Sequence, residues 1–288
     1  MKKLFPLLCL LLAGSACRET LVSTADLNIP VKLVVGCFIN PQDDTLYATV
    51  TLSKPLYKRN NNPYEFESVT NATVQISNGS NTANFTFNNN LQQYILPTAD
   101  FSIAAGSTYN LTVSTPDGKR VTSSTTVPAS QNFNHTVTIT PIVPVDENGR
   151  RALLDARWQG VPGPGRYYRF IYGIRTHGGF FENEYWPNSD AWNTAQFFSD
   201  AQQENRLFRF RENIYLGWAG EPGNETTTAV TALLQELDVH SYRYFTSVAA
   251  QLNTIGGFSE PVVIYSNIEA GLGCFGSNFQ YKNERDSL

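Results

Sequence analysis

A rhythm of short apolar runs broken by turn formers constrains the fold of this chain more than any other feature. "VKLVVGCFI" (31–39) is nearly continuous in apolar residues, and "TLYATVTLS" (45–53) alternates apolar with polar. "ATVQIS", "ANFTF", "QQYIL", "TYNLTVST" and "KRVTSSTTV" follow, separated by Asn/Gly-rich or Pro-containing stretches and ending at Pro128. Period-two alternation turns one face of a segment to a core and the other to water, so these runs read as strands. "STPDG" (114–118) puts Pro116 and Gly118 where a β-turn favours them. About seven strands, punctuated roughly every 8 to 12 residues, predict an immunoglobulin-like sandwich over 31–128. The Cys pair and Trp of antibody-type domains are missing from it.

"PASQNFN" (128–134) reads as a linker. Beyond it "HTVTITPIVPV", "RALLDARWQ", "GRYYRFIYGIRT", "RLFRFR" and "TAVTALLQEL" resume β patterning, with "DENGR" (146–150) as a hairpin turn. "DVHSYRYFTSVAAQLN" differs, with apolar or aromatic residues at Val239, Tyr242, Phe245, Val248, Ala249 and Leu252. That spacing predicts a helix over about 239–253, with Asp238 as its N-cap. A last strand is expected at "PVVIYSNI". The expected fold is mainly β: the N-terminal sandwich, then a second β-rich domain over 129–288 with one late α-helix.

The N-terminus sets a compartment. Lys2 and Lys3 precede an apolar stretch from Leu4 to Leu12, broken by Pro6 and Cys9, and residues 13–16 are all small. This is the layout of a secretory signal over residues 1–16. Its apolar part is about half of the ~20 residues a spanning helix needs. Cleavage between Ala16 and Cys17 suits an ordinary signal peptidase and a lipoprotein peptidase alike. The segment resembles a bacterial lipobox, with Ser15 and Ala16 well placed and Gly14 departing from the apolar residue preferred there. That resemblance implies lipidation of Cys17, a tether over 17–30, a membrane as partner through the lipid, and an outer-membrane envelope location.

Net charge is −4, only 16% of residues are charged, and no basic block occurs, which argues against nucleic acid as a partner. With Cys9 in the signal and Cys17 assigned to lipid, Cys37 and Cys274 remain, each in a Gly-Cys-Phe tripeptide. Two readings stay open. One is a disulfide closing a very long loop, contributing up to about 4–5 kcal/mol. The other is two buried thiols acting as small hydrophobes in separate cores.

Chemistry is sparsely signalled. His135, His177 and His240 are scattered without metal-ligand spacing, and H-E-x-x-H, G-x-S-x-G and C-x-x-C motifs do not occur. No metal, cofactor or catalytic residue is therefore assigned, and the chain is read as a binding protein rather than an enzyme. An envelope hydrolase would need a His, a carboxylate and a Ser brought together in space. "EAGLGCFGSN" lacks the Lys-Ser/Thr of a phosphate loop; its glycines read as permitting a tight turn beside a neighbouring strand. Six N-x-S/T triplets, from Asn71 to Asn224, reflect abundant Asn and Thr once a bacterial signal is assumed, and "DTL" (44–46) and "DSL" (286–288) are three-residue matches to an O-glycosylation signal.

"NEYWPNSDAWN" (183–193) is the binding candidate. Tyr185, Trp186 and Trp192 offer flat apolar faces, and Asp190 and the neighbouring asparagines offer hydrogen-bonding groups. The mixture suits a protein interface or a glycan. The alternative is that these rings close the second core together with Trp158 and Trp218.

Four stretches carry a family resemblance: "KLVVGCFIN", "GSTYNLTVSTPDGKRVTSSTTVP", "SYRYFTSVAAQLN" and, most specific, "EPVVIYSNIEAGLGCFGS". On these the chain resembles the bacterial envelope lipoproteins grouped as domain-of-unknown-function family 4249. Cys37 and Cys274 depart from the family pattern. The resemblance implies a lipoprotein often encoded beside a TonB-dependent outer-membrane receptor, and implies no established reaction. The expected role is a binding or accessory component for such a receptor, with glycan capture as the alternative.

Overall fold

β1 (Leu33–Ile39) shows why its sequence is nearly continuous in apolar residues: both of its faces are covered. Leu33, Val35, Cys37 and Ile39 enter a core, while Phe38, on the other face, packs against a helix. β2 (Thr45–Leu52) pairs antiparallel with β1 and alternates as its sequence does, with Leu46, Ala48 and Val50 buried. β3 (Thr73–Ser77), β4 (Thr82–Asn84), β5 (Thr86–Asn88), β6 (Gln93–Pro97), β7 (Thr108–Ser114) and β8 (Arg120–Thr126) complete the first region. The turn between β7 and β8 is closed by Gly118 N–H donating to the Thr115 carbonyl at 3.0 Å, with Gly118 at φ +87°.

This computed structural model describes residues 30–54, 66–129, 135–146, 149–160, 165–178, 181–185, 197–200, 206–216, 226–253 and 262–286. In the second region stand β9 (His135–Asp146), β10 (Gly149–Gln159), β11 (Tyr167–Gly178), β12 (Phe181–Tyr185), β13 (Phe197–Ser199), β14 (Leu207–Tyr215) and β15 (Thr226–Leu237). α1 (Val239–Asn253) and β16 (Leu272–Asp286) close the chain. The protein is mainly β, with an immunoglobulin-like sandwich first and a late helix at the expected position.

The first sandwich packs the sheet β4-β3-β7-β8 on the sheet β5-β6-β2-β1, which β16 extends. Its core is largely aliphatic, including Val35, Leu46, Val74, Ile76, Leu111 and Val113. Each such side chain, fully buried, contributes about 1.5–3 kcal/mol. The second sandwich packs β14-β10-β9 on β11 and β15 around Trp158, Tyr168, Phe170, Tyr172, Phe208 and Phe210.

β16 belongs to both. Its residues 272–277 pair in parallel with β1, and its residues 278–286 pair antiparallel with β15. Alternate residues then serve both interiors, with Phe275 in the first core and Tyr281 against the second. The two cores thus share one strand and lie within a single compact unit of Lys32–Ser53 and Phe66–Leu288.

The glycine-rich stretch read as a turn does turn at its start, where Gly271 N–H donates to the Ile268 carbonyl at 3.3 Å, and becomes strand from Leu272; residues 262–268 of the expected strand "PVVIYSNI" form no ladder. Side chains of α1 take its amides: Val262 N–H donates to Gln251 Oε1 at 2.7 Å and Tyr265 N–H to Ser247 Oγ at 2.9 Å. Glycine is required in β16 by close approach. Gly273 has φ +107°, and a Cβ there would run into the Val35 carbonyl oxygen; a Cβ on Gly276 would meet Ser241 Oγ of α1.

Candidate functional site

The joint of the two sandwiches lies under α1. Asp238 caps the helix, its Oδ1 accepting from Ser241 N–H at 2.8 Å and also from Ser277 N–H of β16 at 3.2 Å. Thr125 of β8 donates to Asp238 Oδ2 at 2.7 Å. Asp238, Ser241, Ser277 and Thr125 are all buried, so this polar knot fixes helix, spine strand and first sandwich to each other. Phe38 stacks on Phe245 at 4.8 Å and Tyr167 on Tyr242 at 4.5 Å. The Arg169 guanidinium lies over the Phe197 and Phe245 rings, and burial lowers its pKa to about 10.

A cleft of about 350 Å³ opens at the end of the first sandwich. Leu33, Leu52 and Val69 give it an apolar floor, with Glu67, Asp117 and Lys119 among its polar walls. The Tyr94 hydroxyl sets one wall by donating to the Val69 carbonyl at 2.7 Å and accepting from Ala72 N–H at 2.8 Å. Lys119 and then Thr115 hold the Asp117 carboxyl down at about 2, so it is ionised throughout the physiological range. The cleft offers fixed charge, hydroxyls and an amide above apolar surface, a chemistry suited to a small polar group. Its described lining includes no aromatic ring for a sugar to stack on.

The residues singled out from sequence fare unequally. Tyr185 ends β12 opposite Ile174. Trp186, Asp190 and Trp192 lie outside the described residues, as do Ala16 and Cys17. Trp158 is a core residue, ringed by Tyr168, Phe170, Phe198 and Phe208. Half-buried His240 places Nδ1 2.7 Å from the Tyr265 hydroxyl.

The disulfide reading of Cys37 and Cys274 is corrected: both thiols are free and buried. In the β1–β16 register Cys37 faces Phe275, and Gly36 faces Cys274. Opposed residues share a face and adjacent ones do not, so Cys37 enters the first core while Cys274 lies on the helix side with Gly276. Burial pushes the Cys37 thiol up to about 12 and raises Cys274 as well.

A match to the family described as domain of unknown function DUF4249 extends over residues 20–283. The chain belongs to this family. No curated protein matches it. In this DUF4249 chain residues 262–277 of the most specific quoted stretch, "EPVVIYSNIEAGLGCFGS", form the segment bonded to α1 and the first part of the spine strand. Its glycines and Asn267 have structural work: Asn267 Nδ2 donates to the Phe275 carbonyl at 2.7 Å, and its Oδ1 accepts from Phe275 N–H at 3.0 Å.

Sequence reasoning passed over Asp155, Arg157 and Arg209. In the DUF4249 chain Asp155 Oδ1 accepts from Arg157 Nε at 3.1 Å and from Arg209 Nε at 3.0 Å. Asp155 Oδ2 accepts from the Nη2 groups of both arginines. These pairs, Arg209 first, hold the Asp155 carboxyl far below the usual carboxylate range. The signal was present in "RALLDARWQ" and "RLFRFR", where charged residues alternate with rings and aliphatics.

Proposed function

We propose that the protein is a lipid-anchored envelope component that binds, as an accessory, a TonB-dependent outer-membrane receptor. The observation that supports this is the position of the cleft. Leu33, the first residue of β1, forms part of its floor, so the cleft lies at the N-terminal end of that strand. The residues between Cys17 and Lys32 reach about 50 Å when fully extended, which confines the fold to a thin layer above the membrane. Confinement raises its effective concentration towards receptors in the same membrane. The receptor class rests on the family resemblance. The rings of Trp186 and Trp192 are assigned the contact.

Mass spectrometry of the mature N-terminus should find diacylglycerol on Cys17, and Cys17→Ala should release the protein from membranes. The double variant Trp186→Ala/Trp192→Ala should lose co-purification with the receptor at an unchanged melting temperature. Undiminished co-purification would sink the contact, and an unmodified Cys17 would sink the tether. Sugar retention on a glycan array that disappears in Trp192→Ala would favour glycan capture instead.

A further inference from the structure

The three-stranded sheet β14-β10-β9 has a second face, turned away from the second core. Register defines it row by row. Ile142, Arg151 and Tyr215 share a row, Thr138, Asp155 and Arg211 another, and Thr136, Arg157 and Arg209 a third. Arg151 and Arg211 are exposed, and the side chains of Arg157 and Arg209 are 53% and 45% exposed. In these rows four arginines stand against one carboxylate, in a chain whose net charge is −4.

Arg157 and Arg209 are directly opposed across β10 and β14, where like charges destabilise a sheet. Asp155 makes the arrangement tolerable by accepting Nε and Nη2 from both, which also fixes the two guanidinium planes. One carboxylate cannot neutralise four cations, and among the described residues the Nη1 groups of the clamped pair meet no acceptor. All four cations are arginine, the side chain whose planar fork matches a carboxylate in two-point geometry. Exposed Leu207, Tyr215 and Ile142 stand at the ends of this face. Arginine with tyrosine and aliphatic groups is the composition of a protein interface.

We infer that this face docks an extended, acidic segment of a partner protein, whose carboxylates bind the preset Arg157 and Arg209 and whose apolar groups cover Tyr215 and Leu207. From Arg151 to Gln159 the face runs about 27 Å and is three strands wide, the footprint of an extended peptide. The fixed forks favour a protein carboxylate over a fluid anionic lipid surface, which mobile charges of any kind satisfy. This inference stands apart from the tether and the receptor.

The test uses the full chain with an oligo-glutamate peptide, and vesicles of phosphatidylcholine doped with phosphatidylglycerol as the lipid arm. The peptide should bind saturably, and Arg157→Lys/Arg209→Lys, which keeps the charge and removes the fork, should weaken it about tenfold. Asp155→Asn makes the face more positive but frees the guanidiniums, so it too should weaken peptide binding. Thermal melting of each variant separates lost binding from lost fold. Equal affinity in the double Lys variant, tighter binding by Asp155→Asn, failure to bind the peptide, or binding to the vesicles instead would each overturn the inference.

Discussion

The two sandwiches solve one burial problem with different side chains. The first interlocks Val, Ile and Leu from two sheets, with the buried Tyr94 and Tyr109 directing their hydroxyls to backbone groups. The second is built on rings, with Trp158 at 5.5 Å from Phe208 and Phe170 at 4.8 Å from Phe210. Their outward faces diverge as well. β7 turns Thr108 and Asn110 to solvent, whereas β10 and β14 turn out arginines. Aliphatic packing depends on branched shapes interlocking, and ring packing on a few large surfaces. Damage should therefore spread differently in the two regions, except where β16 serves both.

The largest effect is expected at that shared strand. Gly273→Ala puts a Cβ against the Val35 carbonyl at a positive φ, and should cost about 3 kcal/mol or more. All four tryptophans lie beyond residue 134, so tryptophan emission reports the second region alone. If the two cores unfold as one, the emission midpoint in denaturant falls although the clash is in the first sandwich. An unmoved midpoint would show the cores to be independent.

Next come the ring core and the knot. Trp158→Ala should cost about 3–5 kcal/mol, read as a loss of melting temperature. Asp238→Ala orphans the buried Ser241 and Ser277 amides and should cost about 2–3 kcal/mol. Hydrogen exchange in that variant should quicken in α1 and β16 before β3 and β7. Uniform quickening would mean that the knot is not a local joint.

Acid separates two carboxylates of the second region. The Asp155 pKa is lowered by Arg209 and Arg157, so its contribution is present above the unfolded value and is lost as pH falls through the folded one. Glu236 is raised by burial, opposed by its 2.7 Å pair with Arg166, and raised further by Asp200. Its folded form disfavours charge, so its penalty is present above the raised value and relieved as pH falls below the ordinary one. Asp155→Asn should flatten the most acidic part of the stability curve. Glu236→Gln should raise the melting temperature at neutral pH and leave the strongly acidic limb unchanged; a lowered neutral melting temperature would reverse this assignment. The smallest effect concerns the thiols. Dithiothreitol should leave the melting temperature where it is, and iodoacetamide should label Cys37 only on unfolding, since the buried thiol with a pKa near 12 is almost never thiolate.

Much of this was legible in local pattern. Alternation in "TLYATVTLS" and "TYNLTVST" located β2 and β7, because a half-buried strand writes its two faces into sequence. Helical spacing and Asp238 located α1 and its cap for the same kind of reason. What stayed hidden involved partners distant in the chain. "EAGLGCFGSN" turns only as far as Gly271, and only the nearness of Val35 and Ser241 explains Gly273 and Gly276 inside the strand that follows. "PVVIYSNI" has strand composition, yet side chains of α1 occupy its amides.

By itself the sequence determined the β class, the place of the helix and its cap, and the scarcity of charge, since these follow from the order of side chains along one segment. Tertiary structure decided which strands meet. Parallel pairing of β1 with β16 set Cys37 and Cys274 on opposite faces, and the β10–β14 register gathered Arg157 and Arg209 on Asp155. Periodicity fixes which residues of a segment share a face; which segments become neighbours depends on long-range contacts that no local window contains.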